Sequence, residues 1–196
     1  MNGSIPQRPA LFGGSFDPPH VGHVAMAEAA VASCGLDRVV FVPCRHSPLK
    51  GWAPGASGDE RLEMLRLATA GRDWAEASDW ELGRPGPSYS WETVRHFGSL
   101  WPSAELHWIM GEDQWANLER WARPEVLRET LHFIVFARDG SEPQRRLGWR
   151  MTVVAGAWSV SSSQVRAALA AGGDAGGLLP AAVQQYIARR RLYRSG

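Results

Sequence analysis

The stretch GGSFDPPHVGH, residues 13–23, decides the fold of this 196-residue chain. Apolar residues 10–12 precede it and a helix-prone run over 24–30 follows, so the pattern predicts a strand, a glycine turn and a helix. Such a turn presents backbone N–H groups to a phosphate, and the helix N-terminus adds partial positive charge. His20 and His23 lie three residues apart at the start of the helix, so we expect both rings to face solvent or a ligand on the same side.

The glycines of this stretch fit neither the G-x-G-x-x-G fingerprint nor the P-loop, since two imidazoles stand where the P-loop has its lysine. We expect Gly13 and Gly14 to let the backbone approach a ligand closely, because they have no Cβ. Gly22 is expected to leave room for a triphosphate. The alternative is a helix-capping turn with two surface histidines.

Short apolar strands alternate with helices along the rest of the chain. The predicted strands lie at 38–43, 74–82, 105–110, 132–137 and 151–154, and the predicted helices lie from 59, over 91–97, near 124–127, from 164 and over 181–190. This alternation predicts an α/β fold, a Rossmann-like doubly wound parallel sheet in a single domain over residues 1–196. Ligands of such sheets bind beyond the carboxyl ends of the strands. The distinctive segments that follow strands, and so share that edge, are 13–18, 45–50, 111–113 and 161–166.

Composition excludes several classes of partner. The net charge of +1 gives no reason to expect nucleic acid or an anionic membrane as partner. No apolar run is long enough to span a bilayer, and the N-terminus lacks the apolar core of a signal peptide, so we expect a cytoplasmic protein. Cys34 and Cys44 have no C-x-x-C spacing, which predicts neither a zinc site nor a disulfide framework.

A second motif, VSSSQVR, occupies residues 160–166. Hydroxyls and N–H groups at a helix start bind phosphate, and Arg166 one turn into the helix adds positive charge. Three serines are also an ordinary helix N-cap, so the motif gains its meaning from its pairing with residues 13–23.

These two motifs resemble a known family. GGSFDPPHVGH is similar to the signature of the H-x-G-H nucleotidyltransferases, in the form typical of the bacterial nicotinate-nucleotide adenylyltransferases. Residues 160–166 resemble the I-S-S-T/S-x-x-R segment that holds the ATP phosphates in that family. The resemblance extends over nearly the whole chain. It implies the nucleotidyltransferase (adenine nucleotide alpha hydrolase-like) architecture, with the C-terminal helical part, about 161–196, completing the ATP site.

The same resemblance implies an enzyme that transfers AMP from ATP to nicotinate mononucleotide in NAD biosynthesis. Its products are nicotinate adenine dinucleotide and pyrophosphate. Mg²⁺ would arrive with ATP, and no protein-held metal is expected. The residues with an implied catalytic role are His20, His23 and Arg166. Those with an implied role in ATP binding are Gly13, Gly14, Ser15, Phe16, His20, His23, Gly111, Asp113, Ser161, Ser162, Ser163 and Arg166.

Residues implied for the mononucleotide are Lys50, Ser88, Tyr89, Ser90 and Trp121. The segment PSYS, residues 87–90, resembles the family's P-S-Y-T, whose main-chain amides receive the nicotinate carboxylate. None of these four residues is acidic, so we expect no local acceptor for a carboxamide and a preference for the acid. Trp121 lies where the family carries a tryptophan that stacks on the pyridine ring.

One segment departs from the family pattern. After the second strand the family usually shows P-P-H-K, whereas this chain has CRHSPLK over residues 44–50. Leu49 stands where a histidine is common, while Lys50 is kept. Arg45 or His46 could compensate, and the sequence leaves both open.

Two rival functions remain at this point. One is another adenylyltransferase of the superfamily, such as one acting on phosphopantetheine. The other is a non-catalytic nucleotide sensor on the same fold. The PSYS segment and Trp121 speak against the first, and the presence of His20, His23 and Arg166 speaks against the second.

Overall fold

A computed structural model describes residues 5–49, 54–138, 140–156, 160–173 and 175–194. Six strands form one sheet: β1 (Pro9–Gly14), β2 (Arg38–Pro43), β3 (Ala75–Ala77), β4 (His107–Gly111), β5 (His132–Ala137) and β6 (Arg150–Ala155). The helices are α1 (Val21–Cys34), α2 (Gly58–Thr69), α3 (Ser90–Leu100), α4 (Glu112–Ala116), α5 (Pro124–Thr130), α6 (Ser162–Ala170) and α7 (Ala181–Arg190). A 3₁₀ turn over Leu118–Arg120 lies between α4 and α5.

The strand order is β3-β2-β1-β4-β5-β6, and each neighbouring pair is parallel. This is the doubly wound order that the alternation of strands and helices predicts, so the expected fold is confirmed. The order reverses between β1 and β4, which lie side by side. In such sheets the crevice beyond the carboxyl ends at this reversal is where ligands bind.

Both faces of the central strands are buried under helices, and successive strand residues contribute to opposite faces. One face, with Leu11 and Trp108, packs against α3, α4 and α5. The other face, with Phe12 and Ile109, packs against α1 and α2. A third apolar cluster joins α1 and α2 to α6 and α7, so the C-terminal helices share a core with the helix that follows β1.

Several element boundaries differ from the prediction. The strand predicted over 74–82 is only Ala75–Ala77, because the chain turns at residues 80–83, where the N–H of Gly83 bonds the carbonyl of Asp79. α1 begins at Val21, directly after His20, rather than at residue 24. α2 begins with a capping box formed by Ser57 and Glu60. None of the helices in the described part of the chain has the length and apolar character needed to cross a bilayer.

Candidate functional site

A cavity of about 730 Å³ opens at the carboxyl ends of the strands. Residues 13–23 and α6 form one side of it, which we call the β1 wall. Residues 81–93 together with Trp121 form the opposite side, which we call the α3 wall. The residues predicted for the site that line this cavity are Gly13, Gly14, Ser15, Phe16, His20, His23, Ser88, Tyr89, Ser90, Gly111, Asp113, Trp121, Ser161, Ser162, Ser163 and Arg166.

The two histidines of the β1 wall are stacked at the start of α1. Their ring centroids are 3.7 Å apart, with 25° between the ring planes. The backbone N–H of His20 donates to Nδ1 of His23 over 3.2 Å. A neutral imidazole carries one proton, so this bond leaves the proton of His23 on Nε2, as a donor. The prediction that both rings lie on the same side is confirmed.

His20 is more buried than the sequence indicated. Its exposed fraction is 5%, and burial lowers the pKa of its ring from 6.5 to about 4. Among the residues that the structure describes, its Nδ1 is one of three buried side-chain polar atoms with no hydrogen-bond partner. His20 is therefore neutral near pH 7 until an anion favours its charged form.

The glycines serve the packing of the protein's own side chains. A Cβ on Gly13 would lie 2.7 Å from the ring of Trp108, and one on Gly22 would lie 3.0 Å from Nδ1 of His20. The missing Cβ at Gly13 and at Gly22 therefore makes room for these rings rather than for a ligand. The ring of Phe16 is likewise buried, and its centroid lies 4.9 Å from that of the His23 ring, so Phe16 packs against the histidine.

Asp17 braces the β1 wall, and the sequence analysis did not single it out. Its carboxylate is 1% exposed and accepts hydrogen bonds from the N–H groups of Gly55 (2.8 Å) and Ala56 (3.0 Å) and from the hydroxyl of Tyr193 (2.7 Å). These donors join residues 13–23 to the segment before α2 and to the chain after α7. The place of Asp17 inside the motif is the only sequence signal that could have suggested a role.

Arg61 is a second brace that the sequence did not indicate. It is 1% exposed and donates to the carbonyls of Ser15 (2.7 Å), Cys44 (2.8 Å) and Ala56 (3.3 Å). A buried guanidinium is costly unless its donors are used, and here they tie the loops after β1 and β2 to α2. On the sequence Arg61 is one arginine among several on a charged helix.

The second motif docks α6 onto the β1 wall. The hydroxyl of Ser162 donates to the carbonyl of Pro18 (2.9 Å), and Arg166 donates to the carbonyl of Asp17 (2.7 Å). Ser161 is the N-cap of α6 and forms a capping box with Gln164. Arg166 also donates to the hydroxyl of Ser163 (3.2 Å). These residues thus have structural contacts in addition to their place in the cavity.

The predicted anion site at the start of α3 is present as a helix N-terminus. Tyr89 is the N-cap of α3, and its carbonyl accepts from the N–H of Glu92 (3.0 Å). The first N–H groups of a helix have no partner within it, so those of Ser90 and Trp91 are donors only. Ser88 connects this start to the loop after β2, since its N–H donates to the carbonyl of His46 (2.8 Å).

An acidic residue lies beside this anion site, contrary to the expectation drawn from residues 87–90. Glu81 is 5% exposed and lines the cavity with Ser88, Tyr89 and Ser90. Burial raises the pKa of its carboxyl above the ordinary value, while the hydroxyls of Thr93 and Ser88 counteract the shift. The sequence missed Glu81 because the turn at 80–83 brings it back against a segment seven residues further along.

Trp121 meets Trp108 edge to face, with 5.7 Å between the centroids and 80° between the planes. Its indole Nε1 is buried, and no described residue accepts its hydrogen bond. On the far side of the cavity, Asp113 follows Gly111 and β4, and Arg138 donates to its carboxylate over 2.6 Å. Both side chains of this ion pair are about two-thirds exposed, so solvent and ligands can reach them.

Lys50 lies outside the described residues. Leu49, where the family commonly has a histidine, is exposed and lines the cavity. Of the two residues left open as substitutes, Arg45 donates its guanidinium to the carbonyl of Arg84 (2.8 Å), and His46 is exposed. Neither belongs to the described residues that line the cavity.

A cluster of potential metal ligands lies at the opposite edge of the sheet. Glu105, His107 and His132 hold ligand atoms within 4.8 Å of one another. The guanidinium of Arg8 pairs with Glu105 and lies 3.5 Å from Nε2 of His107, so a cation already occupies this position. Burial lowers the pKa of both histidines. The cluster is therefore a structural network between neighbouring strands.

Comparison with known proteins places this cavity in context. The Cytidylyltransferase-like family matches residues 11–168. A protein of Gloeobacter violaceus named probable nicotinate-nucleotide adenylyltransferase is 41% identical, over 95% of this chain and 96% of the relative. A protein of Chlorobaculum parvum with the same name is 37% identical, over 96% of this chain and 100% of the relative.

Solved structures agree with the fold. The nicotinic acid mononucleotide adenylyltransferase of Plasmodium falciparum, complexed with NaAD, superposes with a TM-score of 0.78 at 17% identity, covering 95% of this chain and 97% of that one. The same protein complexed with APC gives a TM-score of 0.76. At this identity the likeness establishes the architecture, while the two sequence relatives establish the closer relationship.

Proposed function

This chain belongs to the nicotinate-nucleotide adenylyltransferase family, and we propose that it transfers AMP from ATP to nicotinate mononucleotide. The products are nicotinate adenine dinucleotide and pyrophosphate, which makes the reaction a step of NAD biosynthesis. The observation that carries the proposal is the stacked pair of His20 and His23, which lines the same cavity as Arg166 and the start of α3.

The reaction is a direct phosphoryl-group transfer. An oxygen of the mononucleotide 5′-phosphate forms a bond to the α-phosphorus of ATP, and the bond from that phosphorus to the pyrophosphate oxygen breaks. Negative charge grows on the leaving pyrophosphate, where Nε2–H of His23, the ring of His20 and the guanidinium of Arg166 act as donors. Alignment of the two substrates between the β1 and α3 walls supplies the rest of the catalysis.

ATP is held by the β1 wall and by residues beyond β4. We assign its phosphates to the backbone of residues 13–16 and to Ser161, Ser162 and Ser163, and its ribose or adenine to Gly111 and Asp113. The C-terminal part from about 161 onward completes this site within a single domain. The contacts of Ser162, Arg166 and Tyr193 with residues 17–18 support that assignment.

Mg²⁺ would be held in this site by the ATP phosphates, whose charge it would neutralise. The donor set of the cavity fits that mode of binding, since its carboxylates already accept hydrogen bonds from protein groups. Asp17 accepts from Gly55, Ala56 and Tyr193, and Asp113 accepts from Arg138. Few protein ligands are then left for the ion, which Mg²⁺ tolerates because it keeps water and phosphate oxygens.

The mononucleotide is held by the α3 wall. The N–H groups at Tyr89 and Ser90 receive the nicotinate carboxylate, the ring of Trp121 stacks on the pyridine, and Lys50 binds the phosphate. A carboxylate offers two acceptors to a helix N-terminus, whereas a carboxamide presents NH₂ donors to it. We place the reaction in the cytoplasm.

The test is pyrophosphate release at saturating Mg-ATP with three candidate acceptors. We expect kcat/KM for nicotinate mononucleotide to exceed that for nicotinamide mononucleotide by about 10²-fold or more, since poorly paired donors and a lost charge-assisted bond together cost about 3 kcal/mol. If pyrophosphate were released with phosphopantetheine and with neither pyridine mononucleotide, the chain would be another adenylyltransferase. No release with any acceptor would leave only nucleotide binding.

A further inference from the structure

Glu81 is a buried carboxyl group in the α3 wall to which the reaction assigns no part. It follows β3, is 5% exposed, and lines the cavity beside the start of α3. The hydroxyl of Thr93, itself fully buried, donates to Oε1 of Glu81 over 2.5 Å. The hydroxyl of Ser88 also lowers the pKa of this carboxyl group, against the larger effect of burial.

Ser88, which lines the cavity with Glu81, is fixed by a second loop. Its Oγ accepts from the N–H of Arg45 (2.9 Å). The N–H of Ser88 donates to the carbonyl of His46, and the guanidinium of Arg45 donates to the carbonyl of Arg84. Glu81 therefore lies next to a set of hydrogen bonds that fixes the segment between β3 and α3.

We propose that Glu81 is a positioning residue that determines which pyridine substituent the cavity accepts. By accepting a hydrogen bond from the hydroxyl of Thr93, it holds the first turn of α3 with its N–H groups toward the cavity. The same bond engages Oε1 of Glu81, so this acceptor position is withheld from the NH₂ group of a carboxamide. This inference rests on the proposed adenylyl transfer to a pyridine mononucleotide.

The inference makes the acid preference depend on Thr93. Thr93→Val keeps the shape of the side chain and removes the donor, which leaves an unpaired acceptor of Glu81 next to the substituent site. That acceptor attracts a carboxamide and repels a carboxylate. We expect the ratio of kcat/KM for nicotinate over nicotinamide mononucleotide to fall about tenfold. Thr93→Ser retains the hydroxyl and is expected to keep the ratio of the wild type.

Substitution of Glu81 itself distinguishes a positioning role from a general loss of structure in the α3 wall. Glu81→Ala releases Thr93, so KM for nicotinate mononucleotide is expected to rise about tenfold, with KM for ATP within about twofold of the wild type. Glu81→Gln keeps an acceptor oxygen for the hydroxyl of Thr93, and we expect it to restore KM for the mononucleotide. Thermal unfolding of each variant identifies any that does not fold, and Thr93→Ala, which removes the same donor and is read by the same ratio, then replaces Thr93→Val.

The outcomes distinguish this inference from the proposed function. A wild-type enzyme that releases no pyrophosphate with either pyridine mononucleotide contradicts the proposed function itself. A wild type that prefers the acid, with folded Thr93→Val showing an unchanged ratio, overturns the role of Glu81 alone. An equal rise of both KM values in Glu81→Ala, unrelieved by glutamine, also overturns it.

Discussion

The β1 wall and the α3 wall face each other across one cavity, but different residues hold them. In the β1 wall the residues expected to contact substrate also hold the motif, as Arg166 donates to the carbonyl of Asp17 and Ser162 to that of Pro18. Arg61 and Tyr193 add braces from outside that motif. In the α3 wall, Ser88 is held by the loop after β2, and Glu81 accepts from Thr93 within α3. Some side chains of the β1 wall therefore serve both chemistry and structure, whereas in the α3 wall the bracing groups differ from those expected to contact substrate.

The largest expected effect is that of His23→Ala in the β1 wall. Loss of a donor to the developing pyrophosphate charge is expected to lower kcat by about 10²-fold or more. The ring of His23 also packs against Phe16 and His20, so a stability loss of about 1 kcal/mol accompanies it. Steady-state turnover and urea unfolding measure the two effects.

His46→Ala is the matched control for that variant, since His46 is exposed and is not among the described residues that line the cavity. We expect it to keep wild-type turnover and stability. Near-full turnover in folded His23→Ala would remove His23 from the chemistry and leave it as a packing residue of the β1 wall.

The sequence predicts the local features of both walls and misses their tertiary contacts. The doubly wound sheet follows from the alternation of strands with helices, and the placement of both histidine rings on one side follows from a three-residue spacing at a helix start. The role of Glu81 depends on a turn that returns the chain to residues 88–93. The bond between Tyr193 and Asp17 spans 176 residues. Such contacts are set by tertiary packing, which no local pattern encodes.

The pH dependence of protein stability tests whether His20 is neutral in the folded β1 wall. The pKa of His20 is lowered to about 4 in the folded chain, against 6.5 for an ordinary histidine. Between about pH 4 and pH 6.5 the unfolded chain binds a proton at His20 that the folded chain does not. The contribution of neutral His20 to stability is therefore complete above pH 6.5 and is lost as the pH falls toward 4. We expect the wild type to lose about 2–3 kcal/mol more than His20→Gln between about pH 7 and about pH 4.5.

The comparison with His20→Gln isolates this group. His96, His107 and His132 also have lowered pKa values, which act in the same direction, while the raised pKa of Glu81 acts in the opposite direction. Both proteins carry these four groups, so their contributions cancel in the difference. Parallel stability curves for the two proteins would show that His20 does not titrate as its burial requires.

Lys50→Ala tests how the mononucleotide phosphate is bound at the α3 wall. If Lys50 alone binds the mononucleotide phosphate, we expect KM for the mononucleotide to rise about tenfold and KM for ATP to change little. Arg45→Ala is the matched variant, because the Arg45 guanidinium is bound to the carbonyl of Arg84. A mild Lys50→Ala with a severe Arg45→Ala would transfer the role to Arg45, and negligible effects of both would show that this loop does not bind substrate.

The smallest expected effect on the kinetics is that of Tyr193→Phe, which removes one brace of the β1 wall without touching its donors to phosphate. The hydroxyl of Tyr193 donates to Oδ1 of Asp17 over 2.7 Å. Burial and the nearby Asp17 carboxylate both raise the pKa of Tyr193, so the hydroxyl remains protonated and able to donate. After the substitution the carboxylate still accepts from the N–H groups of Gly55 and Ala56.

Because two donors remain on Asp17, the loss is that of a single hydrogen bond to a charged group, about 1.5 kcal/mol in the free energy of unfolding. Tyr186→Phe, which removes a phenol hydroxyl from α7, is the control and is expected to change stability by less than about 0.5 kcal/mol. If bracing and chemistry are coupled in the β1 wall, Tyr193→Phe also raises KM for ATP by about twofold and leaves KM for the mononucleotide unchanged. A loss of stability with both KM values unchanged would show instead that residues 13–23 keep their geometry without the C-terminal brace.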